Sequence, residues 1–121
     1  RELLGFYLSD HPLNSFKEKL VSLRARSLQE LRGIKNEDLT IRTAGLVASI
    51  KRIGTKKGDS MSFATIEDFS PQPLEVVIFP RTLEKTEVAW QEGNVVLLQG
   101  KMSWRGGEPK IICDDAKKLE A

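Results

Sequence analysis

At Ile41 the chain changes its period. The run IRTAGLVASIKRI, residues 41–53, is rich in β-branched residues and carries Gly45 inside it. Such a run reads as one long strand, because β-branched side chains suit a pleated surface. A glycine within it marks a bulge or a bend. Everything after this strand has to accommodate that bend.

The segments that follow are short and separated by turn residues. GTKKGDS is a loop flanked by Gly54 and Gly58, and MSFATIED and LEVVIF are strands on either side of FSPQP. PRTLEKTEVAWQEG predicts a helix with Pro80 in its first turn and Gly93 beyond its end. NVVLLQGKMSW and PKIICDDA are strands joined by RGGE, whose paired glycines suit a tight hairpin. The order is β-β-β-α-β-β. A mainly β chain of this order, with a bent first strand and a helix between the third and fourth, matches a five-stranded Greek-key barrel of the OB type. Another small β-barrel with one helix, or an open α+β sheet, fits the same order.

Residues 1–40 read as a helical lead-in or linker to a barrel domain at 41–121. ELLGFYL is apolar nearly all round, and a helix of that kind expects a partner. His11-Pro12 interrupts it. Ser15 and Glu18 have capping-box spacing ahead of Phe16, Leu20 and Leu23. Ser27 and Glu30 repeat the signal for a further short helix, which Gly33 can close. The chain has 121 residues, 40% of them hydrophobic, enough for one domain with a core plus an appendage. It starts at Arg1 in a helical phrase and is expected to be a piece of something longer.

Alternation along the strands orients the aromatic residues. On the second strand Ala64 and Ile66 share one face, and Phe63, Thr65 and Glu67 the other. On the third, Leu74, Val76 and Ile78 oppose Glu75, Val77 and Phe79. Glu67 and Glu75 are costly to bury, so their faces should be the wet ones. Phe63 and Phe79 are then expected outside, on adjacent strands. Packing under a helix or another domain is the plain alternative.

Charge follows the same geography. Nineteen Lys and Arg against seventeen Asp and Glu leave a formal charge of +2, so any polyanion site must be local. Lys51, Arg52, Lys56 and Lys57 run into the first hairpin with no acid among them. Trp104, Arg105 and Lys110 surround the second glycine turn. Those two loops flank an OB cleft, where cations track phosphates and π-faces accept bases. Solubilising a hairpin tip is the bland reading of Lys56 and Lys57.

Other candidates carry no chemistry. Trp90 reads as the core-facing anchor of its helix. Cys113 cannot form an internal disulfide and reads as a small buried hydrophobe. His11 lacks a visible partner. Asp114 and Asp115 point to opposite faces of a strand, and Asp59 and Asp68 are scattered. No phosphate loop, nucleophile elbow or zinc motif is present, so no catalytic or metal residue is expected. With no apolar run of about 18 residues and no secretory pattern, no membrane partner and a reducing, cytoplasmic setting are expected.

ELLGFYLSDHPL, then the stretch from IRTAGLVASIKRI through VVIFPRT, then NVVLLQGKMSWRGGEPKIICDDA, resembles the bacterial replicative DNA polymerase III alpha subunit. The resemblance is to the part after the polymerase core and covers essentially the whole chain. Asp10 stands where that family usually has Gly before His-Pro-Leu. GLVASI with FATIED also looks like the anticodon-binding OB domain of class II aminoacyl-tRNA synthetases, in which the position of Phe63 stacks on a base. The lead-in favours the polymerase family.

The resemblance implies a non-catalytic module that contacts single-stranded template. Its parent would polymerise DNA with magnesium and meet other replisome subunits. Stacking would fall to Phe63, Phe79 and Trp104, with Thr65 on the same face. Phosphates would meet Lys51, Arg52, Lys56, Lys57, Arg81, Arg105 and Lys110. A protein-interaction module and tRNA anticodon recognition remain the competing functions.

Overall fold

The computed structural model describes residues 16–54 and 60–120. Among them, β1 (Thr40–Gly54), β2 (Ser60–Glu67), β3 (Leu74–Ile78), β4 (Val95–Ser103) and β5 (Lys110–Lys118) close into a barrel in the order β1-β2-β3-β5-β4. Helices α1 (Lys17–Ser22) and α2 (Leu28–Leu31) precede β1, and α3 (Pro80–Thr86) lies between β3 and β4. The expected order and closure are both present, and the open-sheet alternative falls away.

Closure depends on β1 serving two neighbours. Its first half pairs with β4, from Thr40↔Lys101 to Leu46↔Val95, and its second half with β2, from Leu46↔Glu67 to Gly54↔Ser60. The change of partner happens at Gly45 and Leu46. A Cβ on Gly45 would sit 2.9 Å from the Glu67 carbonyl oxygen, so a side chain there would force β2 away. A register slip between Val47 and Ser49 adds to the bend. Parallel pairing of β3 with β5 completes the circuit.

The interior follows the pleat. Ala64, Ile66, Val76, Ile78, Leu98, Met102, Ile111 and Cys113 are buried in one core. Helix α3 is shorter than the expected 80–93 span: it tightens into a 3-10 turn over Glu87–Ala89. The chain must turn early because the Gly93 N–H donates to the Val47 carbonyl at 2.9 Å, with Gly93 at φ 91°. Trp90 is 2% exposed, and its Nε1 donates to Thr86 Oγ1 at 3.0 Å, so it anchors the helix as expected.

Helical residues ahead of β1 pack against the barrel. Leu28 and Leu31 are fully buried in the barrel's own core, and Phe16 shares a second cluster with Ala44, Val95 and Leu119. The Ser27 box forms in full, with Glu30 N donating to Ser27 Oγ at 3.1 Å and Ser27 N to Glu30 Oε1 at 3.0 Å. Asp68 then accepts from Leu28 N at 2.8 Å, tying α2 to the β2–β3 turn. Ser15, His11-Pro12 and the ELLGFYL reading lie outside the described residues.

Candidate nucleic-acid interface

Five strands contribute one residue each to a continuous row on the outside of the barrel. Lys51 opposes Phe63, Phe63 opposes Val77, Val77 opposes Ile112, and Ile112 opposes Lys101. Their chain neighbours Ala64, Val76, Ile111, Cys113, Gly100 and Met102 are buried, so parity turns the row outward. A cation stands at each end, with an aromatic and two aliphatic side chains between. The next row toward the β4–β5 turn is polar: Ser49, Thr65, Glu75, Lys110 and Ser103.

The hairpins leave this row in opposite directions. β1 and β2 continue to Gly54↔Ser60, whereas β4 and β5 continue through Ser103↔Lys110 to Trp104–Gly107. Gly106 and Gly107 take φ of 83° and 85°, and the Gly107 N–H donates to the Trp104 carbonyl at 2.9 Å. The aromatic face therefore lies between the two hairpin ends.

The structure places Phe63 half-buried on that face and Phe79 exposed. A groove of about 560 Å³ runs beside Phe79, lined by Val77, Lys101, Arg105, Ile112 and Asp114 among others. Lys110 enters it too, with its Nζ 3.3 Å from Glu75 Oε1. Lys51, Lys101 and Arg105 are exposed and have no ion-pair partner among the described residues. Arg52 lies 3.0 Å from Glu87, so part of its charge is spent. Arg81 is exposed in the first turn of α3, just past Phe79. Lys56 and Lys57 lie outside the described residues.

Trp104 differs from the open ring expected of it. Its Nε1 donates to the Ile34 carbonyl at 2.8 Å, its backbone N–H donates to Glu37 Oε2 at 3.1 Å, and Lys35 Nζ sits 3.6 Å from the ring centroid. The segment after α2 packs on this indole and takes its π-face, a relation no strand-period argument could foresee. Lys101 and Ile112 were missed. Their signal was available in β4 and β5, where they alternate with inward Gly100, Met102, Ile111 and Cys113.

Among the described residues no group of three or more His, Cys, Asp or Glu could hold a metal ion, and no helix is long and apolar enough to cross a membrane. Burial, reinforced by neighbouring Asp114, pushes the Cys113 thiol up to about 12, which leaves it protonated and unreactive.

Comparison with known proteins agrees with the geometry. Along 99% of its length the chain is 33% identical to DNA polymerase III subunit alpha of Bacillus subtilis (strain 168), covering 10% of that protein. The chain thus spans about a tenth of the length of the curated relatives it matches. The hypothetical protein ygiW from E. coli shares the fold at a TM-score of 0.59, with 14% identity over 78% of this chain and 89% of that one. The mitochondrial single-stranded DNA binding protein Rim1 of S. cerevisiae shares it at 0.54, with 10% identity over 68% of this chain and 96% of that one. Residues 41–119 match the family described as OB-fold nucleic acid binding domain, and the chain belongs to that family.

Proposed function

We propose that the outer row and the groove beside Phe79 bind single-stranded DNA, as a template-contacting module of a bacterial replicative polymerase. The observation that carries this reading is the row Lys51–Phe63–Val77–Ile112–Lys101, in which a cation at each end brackets an aromatic and two aliphatic residues across five strands. A single strand needs both. Cations follow its phosphates, and an aromatic face such as that of Phe63 takes bases of any identity. Similarity along 99% of the chain to a DNA polymerase subunit supports DNA as the polymer. Polymerisation and contacts with other replisome subunits belong to the rest of such a protein.

Titration of labelled oligo-dT at several salt concentrations tests the reading. Binding should be weak and should fall with salt, because one barrel offers few stacking sites. Phe63→Ala should lower affinity without unfolding the chain. Binding indifferent to both salt and Phe63→Ala would end the proposal. Preference for a structured RNA loop would point instead to anticodon-type recognition.

A further inference from the structure

Val77 and Ile112 are directly opposed on parallel strands, and the residues two further along each chain lie just past that pair, at the same end of the two strands. Those residues are Phe79 and Asp114. Both are exposed, both line the groove beside the row, and Asp114 has no ion pair or side-chain hydrogen bond among the described residues. Asp114 owes its position to a bulge: Gly100 pairs with Cys113 and Gln99 with Asp115, leaving Asp114 as the extra residue. Gly100 makes room for that bulge, since a Cβ there would stand 2.1 Å from the Ile112 carbonyl oxygen.

A carboxylate is costly to a strand-binding groove, because it repels phosphates. Lys101 and Arg105 of the same groove would bind phosphate better without it. An ionised carboxylate only accepts hydrogen bonds. Exposed in the same groove as the Phe79 ring, it is available to the edge of a base that stacks there. Guanine presents two adjacent donors, N1–H and the N2 amine, which match the two carboxylate oxygens in parallel. Cytosine and adenine present one amine beside an acceptor. Thymine presents one N–H between two carbonyls.

We propose that Phe79 and Asp114 form a base-reading position that prefers guanine, within a track otherwise tolerant of sequence. This rests on the reading of the face as a single-strand site. The base stacks on Phe79, Asp114 accepts from N1–H and the N2 amine, and Lys101 and Arg105 hold the flanking phosphates.

The test compares the full chain's affinity for short oligo-dT, for the same strand with one central guanine, and for the same strand with hypoxanthine there. Hypoxanthine keeps N1–H and lacks the amine. A guanine preference of about fivefold or more is expected, the lower end of what a bidentate base contact supplies. Hypoxanthine should recover little of it. Asp114→Asn should abolish the preference and raise oligo-dT affinity, because the repulsion of phosphate goes with the charge, and Phe79→Ala should weaken all three strands. Equal affinities for the three strands, or a preference that survives Asp114→Asn, would overturn the base-reading position while the single-strand track stands. Failure of every strand to bind would overturn both.

Discussion

Phe63 on β2 and Val77 on β3 are directly opposed on the outside of the barrel, and Val77 is only 6% exposed there. Directly opposed side chains on one sheet face are close enough to cover one another. Phe63 and Ile112 are the residues opposed to Val77. Phe63 is itself half-buried, so part of its ring remains open to solvent.

Replacing that ring tests it as a stacking surface. Phe63→Ala should weaken binding of oligo-dT by about 1–3 kcal/mol, the usual worth of one stacked base. Fluorescence anisotropy measures the affinity, and a thermal melt shows that the variant is folded.

Salt dependence should follow the unpaired cations. If about four phosphates are neutralised, log affinity should fall against log salt with a slope of about −3. Lys101→Ala should reduce that slope by about 0.7. Arg52→Ala should change it less, because Arg52 already lies 3.0 Å from Glu87.

The bulge at the groove is sterically exacting. Gly100→Ala places a Cβ 2.1 Å from the Ile112 carbonyl oxygen and should cost about 3 kcal/mol or more, the upper range for overpacking. Gly54→Ala meets nothing within 4 Å and should stay within about 0.5 kcal/mol. Urea unfolding of the two variants checks the contrast.

How much of this was legible in the sequence depends on the range of each signal. The Ser27–Glu30 box, the bend at Gly45 and the in–out parity of β2 are local, and each stands in the structure as the residues imply, whereas Val77 on the wet face of β3 is buried. Trp104 shows the other case. Its neighbours Ile34, Lys35 and Glu37 are far away in sequence, so its coverage was invisible there. Helix α3 ends early for the same reason, since Gly93 must reach Val47. That Leu28 and Leu31 pack into the barrel's core was not legible either, because an amphipathic helix looks the same whichever core receives it.

Cys113 gives a prediction in pH. Its thiol is raised from 9.0 to about 12, chiefly by burial and then by Asp114. The unfolded thiol ionises from about pH 9, while the folded one keeps its proton to about 12. The unfolded state thus binds fewer protons in that window, so stability falls as pH rises through it. Wild type should lose more stability than Cys113→Ala between pH 9 and 11, and a thiol reagent at pH 8 should react only after unfolding.

The central claim is that one outward row, from Lys51 to Lys101, is where a single strand lies. Amide chemical-shift mapping with a short oligo-dT tests it most directly. Residues of the row and of the groove, among them Lys51, Phe63, Val77, Lys101, Arg105 and Ile112, should move together and saturate at one concentration. Shifts confined to the opposite wall, around Leu23, Arg42 and Lys117, would contradict it.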